Sequence, residues 1–308
     1  MKKLNVSFLK AVSAAFFCLI YFASCKSMEQ SIPSVDALAL LEENSAVYFK
    51  IPVAKHSEFA KKLLCYVVPG LTEKNADYII PKINTICAGL GNINDKNDMN
   101  RVQVSLEGNI PPLAVKTALS EKKGWTLKKS SVNSKIAGIS VPHVYYERKD
   151  TDYKLALASL KNFVFSKDVE PLLQRYEVQL DSLAETGFVM VPGENWVAST
   201  YEWMTETTDE MRFCVLYPQG FLKNLLGRDM KFAIVCARGS LTDNNDGSYN
   251  LALNIDFENR FVLTAAKSVL SLVYGKDAKI ETSSETLKVF DIRLTTEDVL
   301  ALFGGSMR

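Results

Sequence analysis

The residues with chemical potential in this chain are few: six cysteines and two histidines among 308 residues. Cys65 and Cys87 are 22 positions apart, and so are Cys214 and Cys236. In an exported chain that spacing allows two disulfides, one per half. The competing reading is four buried thiols, because the cysteines sit in apolar runs such as Leu63-Leu64-Cys65-Tyr66-Val67 and Ile234-Val235-Cys236-Ala237. No Cys-x-x-Cys pair exists, which argues against a structural zinc or a thioredoxin-type centre. His56 and His143 stand in unrelated contexts, and His143, just after Pro142, reads as a surface histidine opening a strand. HExxH, GxSxG, P-loop and GxGxxG patterns are absent. Gly89-Leu90-Gly91 reads as the end of a helix. Asp243 to Gly247 has the composition of a calcium loop but fails its ligand register, so it reads as a turn. Asn92 to Asn100 reads as a polar linker, and Glu206 with Asp209 as a solvated face. These residues offer no catalytic site, no metal site and no cofactor. Carboxylates distant in sequence are the one remaining route to an enzyme.

Cys25 is the exception, because its neighbours suit a specific modification. Lys2, Lys3 and Lys10 make a basic start, and Ala11 to Phe22 is apolar apart from Ser13. Phe22-Ala23-Ser24-Cys25 then places small residues before a cysteine, as in a lipobox. The segment is an address rather than part of the fold. Its apolar run of about 12 residues is too short to span a bilayer, which takes roughly 20. The expectation is a signal peptide over residues 1–24 and acylation, palmitate included, at Cys25. The alternative is an ordinary signal peptide cut after Ala23 or Ser24. Lys26 and Ser27 follow, so the aspartate that retains some lipoproteins at the inner membrane is absent, and outer-membrane delivery is expected. Residues 25–35 form a short tether.

Removing residues 1–24 takes away three lysines and leaves 33 basic against 35 acidic residues. That balance gives no general attraction to nucleic acid. About 284 residues remain, enough for one large domain or two ordinary ones. Strand patterns cover Val47 to Ile51, Val102 to Glu107, His143 to Arg148, Tyr153 to Ala158, Asn162 to Phe165, Arg212 to Leu216, Leu251 to Phe257, Lys279 to Glu281 and Leu287 to Arg293. Helical patterns cover Ser57 to Val68, Asn75 to Leu90, Pro112 to about Lys122, Val169 to Tyr176, Phe221 to Leu226, Arg260 to Val273 and Glu297 to Phe303. The fold class is therefore α+β, read as two similar modules of antiparallel sheet with packed helices and an internal duplication. The modules span residues 36–180 and 181–308, with the soft boundary in the polar stretch Glu177 to Thr186.

Two helices stand out. In Asn75 to Leu90, the residues Ala76, Ile79, Ile80, Ile83, Cys87 and Leu90 share one face, with Pro81 marking a kink or the true start. Arg260 to Val273 is apolar or small almost all round apart from Lys267, so it should be buried or touch something apolar. Trp125 lies among Lys122, Lys123, Lys128 and Lys129, a mixture found at membrane interfaces, although a core tryptophan after a helix C-terminus fits equally. Asn195 to Met211 is aromatic but carries no Lys or Arg, so it should pack on protein.

The lipobox, the amphipathic helices from Phe59 to Val68 and Asn75 to Leu90, and the α/β alternation resemble treponemal, or spirochaetal, periplasm-facing outer-membrane lipoproteins. The resemblance spans roughly residues 36–304. It implies a non-catalytic, lipid-anchored envelope protein in the inner leaflet of the outer membrane that contacts membrane lipid through amphipathic helices. The contact candidates are Phe59, Leu63, Val67, Ile79, Ile83 and Trp125. The alternative is a periplasmic module that binds a hydrophobic ligand or an envelope protein partner.

Overall fold

The structure, a computed structural model, describes residues 34–67, 71–91, 101–136, 139–189, 196, 198–216, 234–274 and 278–304. The expected signal peptide, Cys25, most of the expected tether and the expected helix Phe221 to Leu226 lie outside the described residues. Those after Ser34 belong to one compact unit.

Its frame is one antiparallel sheet of twelve strands. In chain order these are β1 (Val47–Pro52), β2 (Ile83–Leu90), β3 (Val102–Gly108), β4 (Trp125–Ile136), β5 (Ile139–Arg148), β6 (Lys154–Leu157) and β7 (Asn162–Ser166). They continue with β8 (Met211–Val215), β9 (Ile234–Asp243), β10 (Ser248–Phe257), β11 (Lys279–Ser283) and β12 (Thr286–Thr295). The spatial order is β11-β12-β10-β9-β8-β1-β2-β3-β7-β6-β5-β4. β1 and β8 pair in the middle, with Tyr48 opposite Cys214, and this pairing joins the two halves into a single sheet.

Among the described residues seven α-helices cover the two faces: α1 (Ser57–Val67), α2 (Glu73–Ile79), α3 (Pro112–Ala118), α4 (Glu170–Thr186), α5 (Ala198–Thr205), α6 (Arg260–Tyr274) and α7 (Thr296–Gly304). Side chains alternate across a strand, so neighbouring residues feed separate cores. On one face Phe49, Ile51, Ile86, Ala88, Phe213 and Leu253 pack with Phe59 and Leu63 of α1, Val115 of α3, Leu263 and Leu270 of α6, and Val299 of α7. On the other, Tyr48, Cys87, Val164 and Cys214 pack with Leu38 to Leu41, with Leu172, Leu173 and Tyr176 of α4, and with Tyr201 and Met204 of α5. The arrangement is three-layered, with the sheet in the middle.

Three expectations need correction. The long helix from Asn75 to Leu90 is α2, a 3-10 turn at Ile80–Lys82 and then strand β2. Pro81 has no amide hydrogen to continue the helical ladder. Ile86, Ala88 and Leu90 face one core while Cys87 faces the other, which is strand periodicity. Second, the polar stretch Glu177 to Thr186 is no boundary but the second half of α4, ended by Gly187 in the left-handed conformation. Gln179 is buried there, with Leu180 and Leu183 packed beside it. Third, the α+β class with antiparallel sheet holds, but two duplicated modules are not shown. Each half runs a three-strand meander, a helix and a return to the sheet, yet the return has four strands in the first half and two in the second.

Candidate functional site

Two features stand apart from ordinary core. The first is a crevice of about 70 Å³ between α1, α2, α3 and the sheet. Leu64, Leu71, Ile79, Val115, Leu119 and Phe163 line it, and no polar surface faces it. An acyl chain does not fit: a dry cavity of about 150 Å³ is what takes up a single benzene ring. Ile79 and Ala118 also border a shallower hollow where Asn75, Tyr78, Thr117 and Lys123 add polar groups at the rim.

The second is the outer face of α6. Leu263, Ala266 and Leu270 anchor the helix in the core. The opposite face carries Phe261, Thr264, Ala265, Ser268, Ser271 and Leu272, all exposed and none charged. Phe261 and Leu272 are each 85% exposed. An offset of eleven residues is just over three turns, so these two side chains lie nearly in line, about 16.5 Å apart along the helix. A helix on a soluble surface ordinarily presents charge on this side.

The candidate contact residues fall elsewhere. Phe59, Leu63 and Ile83 are buried core residues, and Ile79 is partly buried against the same core. The side chain of Val67 lies outside the described residues. Trp125 is buried beneath the Arg148 guanidinium, which sits 5.5 Å from its ring centroid. The neighbouring Lys122, Lys123, Lys128 and Lys129 are exposed. The core-tryptophan reading is therefore the right one at Trp125. Sequence reasoning singled out α6 as a helix but missed its exposed stripe. Apart from Arg260 and Lys267 charge is missing all round this helix, and that pattern does not say which side faces out.

The ionisable groups are engaged in structure. His143 is buried, not on the surface, and its ring Nε2 lies 2.7 Å from Glu177 Oε1, joining β5 to α4. His56 Nε2 is 2.7 Å from the Asp209 carbonyl oxygen. Asp246 of the β9–β10 turn accepts from the Ser248 amide at 3.0 Å and pairs with Arg293 of β12, so its carboxylate is engaged in tying the hairpin to the next strand. Among the described residues no group of three His, Cys, Asp or Glu side chains is placed to hold a metal ion, and no helix is long and apolar enough to cross a membrane.

All four body cysteines are thiols. Cys65 is on α1, on one side of the sheet, while Cys87 lies in the core on the other, so the expected Cys65–Cys87 bridge is excluded by the sheet between them. Cys214 and Cys236 do come together, with 3.8 Å between sulfurs.

A family model described as outer membrane-associated lipoprotein TP0453 matches residues 33–300. Solved structures of the treponemal protein TP0453 share the fold. Its crystal form I aligns with a TM-score of 0.65 at 15% identity, covering 89% of this chain and 98% of that one. Crystal form III gives 0.63 at 14% identity, with 88% and 99% covered. No protein of curated function matches the chain.

Proposed function

The chain belongs to the TP0453 outer membrane-associated lipoprotein family, and on that premise we propose that it is a non-catalytic envelope protein, acylated at Cys25, facing the periplasm, and touching membrane lipid through an amphipathic helix. The uncharged outer stripe of α6 carries this reading. Phe261 and Leu272 gain about 1.5–3 kcal/mol each when taken out of water, and nothing in the core need move for them to do so. The candidates on α1 compare poorly. Withdrawing Phe59, Leu63 and Leu64 from the core forfeits about 5–9 kcal/mol, as much as a whole domain's ordinary stability of about 5–15 kcal/mol.

The test is flotation with lipid vesicles, using Cys25→Ala protein so that the acyl anchor does not mask weaker contacts. The unmodified α6 should bind, and Phe261→Asp with Leu272→Asp should weaken binding by at least about tenfold. Exposed positions tolerate substitution within about 0.5 kcal/mol, so circular dichroism should show an intact fold. With near-neutral charge, binding should depend little on salt. Equal flotation of the double variant rules out the α6 stripe. The alternative, a hydrophobic ligand held inside, draws on the wholly apolar crevice beside Ile79. It requires α2 and α3 to move apart and would appear as lipid co-purified with the protein.

A further inference from the structure

We propose that Cys214 and Cys236 form a reversible disulfide that ties β8 to β9, and that Cys65 and Cys87 remain thiols.

In the β8–β9 register Cys214 faces Arg238 and Val215 faces Ala237. Cys236 is therefore the diagonal neighbour of Cys214, on the same face of the sheet, at a separation side chains can span. The sulfurs are 3.8 Å apart. A disulfide requires about 2.05 Å, and diagonal neighbours lie about 7–8 Å apart, at the edge of the roughly 7 Å that a disulfide spans, so closure combines side-chain rotation with a slight approach of β8 and β9. Cys87 is excluded as a partner for either. It lies on β2, with β1 between it and β8, so two strand spacings of about 4.8 Å separate it from Cys214. That exceeds the roughly 7 Å limit between bridged Cα atoms. Cys65 is on the far side of the sheet.

The two thiols also differ in a way that suits exchange. Cys214 is fully buried, whereas Cys236 is partly exposed. The hydrogen bond between the Cys214 and Cys236 sulfurs and, with it, the nearby Arg238 hold the Cys236 pKa below the ordinary thiol value. That hydrogen bond and burial push Cys214 the other way. Cys236 is thus the more accessible of the two thiols and the one that deprotonates more readily. The oxidant is a small-molecule or protein disulfide. The Cys236 thiolate attacks one of its sulfurs, forming a mixed disulfide and releasing the first reduced thiol. Cys214 then loses its proton and attacks the Cys236 sulfur, which expels the second thiol. Two protein thiols are oxidised and one external disulfide is reduced to two thiols.

The bond would close a covalent loop of chain from Cys214 to Cys236. The test uses the full chain, reduced, desalted and equilibrated at native pH with glutathione disulfide, then acid-quenched, alkylated and mapped by mass spectrometry. The expected product is one crosslinked peptide pair joining Cys214 to Cys236, with Cys65 and Cys87 alkylated, and dithiothreitol should reverse it. Cys214→Ala should stall Cys236 as its glutathione adduct. A crosslink through Cys65 or Cys87, or Cys214 and Cys236 alkylated as fully as in the reduced control, overturns the proposal. The assay does not involve membranes, so its outcome is independent of the lipid-contact reading above.

Discussion

His56 shows how one buried side chain sets a pH dependence. Its Nε2–H donates to the Asp209 carbonyl, and its ring lies 5.9 Å from that of Tyr249. Burial lowers its pKa below the ordinary 6.5. The unfolded chain then takes up the proton more readily than the folded one, so the stability from neutral His56 is complete above about pH 6.5 and is lost as pH falls below it. Urea unfolding should give a lower midpoint at pH 5.5 than at pH 7.5, and His56→Gln should flatten that slope. Gly108 makes a steric prediction. A Cβ there would lie 2.2 Å from the Lys82 carbonyl oxygen and 2.8 Å from the Ile83 Cα, both rigid backbone. Gly108→Ala should cost about 1–3 kcal/mol, measured as a reduced thermal midpoint. Neither effect could be read locally. A histidine or glycine in sequence does not reveal what folds against it, which is also why His143 looked like a surface residue until Glu177 came into place.

Among the elements, the final helix was legible, since the pattern from Glu297 to Phe303 falls inside α7. Thr295 precedes α7, and its hydroxyl accepts from the Asp298 amide at 3.1 Å while the Asp298 carboxylate accepts from the Thr295 amide at 2.8 Å. This reciprocal pairing is a capping box. Thr295→Ala should cost about 1 kcal/mol, with faster hydrogen exchange confined to α7. The β9–β10 hairpin was legible for a similar reason, since Asn245 and Gly247 accept the positive φ its turn needs. β2 was not. Its residues Ile83, Cys87 and Leu90 also satisfy helical spacing, and a strand buried on both faces loses the polar alternation that would have identified it. The misreading changes an experiment. Ile83→Asp, sensible as a probe of lipid contact on a surface helix, puts a carboxylate into a core beside the sheet centre. It should unfold the protein, seen as loss of its cooperative melting transition, and says nothing about membranes. α4 was cut short because its outer residues are charged, although Gly187 already marked its end.

The whole molecule depends on a pairing with no local signature: β1 and β8 are joined by more than 150 residues of intervening chain. That contact turns two apparent modules into one sheet, and only the completed fold reveals it. At this scale the anchor makes its own prediction. Cys25→Ala should abolish palmitate labelling and move the protein to the soluble fraction. The point where the folded body begins sets how the proposed anchor would work. Val35 is fixed to the sheet by its amide, which donates to Asn162 Oδ1 at 3.2 Å, and by its carbonyl, which accepts from Asn162 Nδ2 at 2.7 Å. Nine residues lie between Cys25 and that fixed point, ten backbone steps in all, so an acylated chain has a leash of at most about 35 Å. A short leash raises the local concentration of bilayer around the body to the millimolar range. Phe261 and Leu272 would then need only millimolar affinity to stay engaged for much of the time. Anchor and stripe would behave as a bivalent ligand, each too weak or too loose alone to fix how the body meets the membrane.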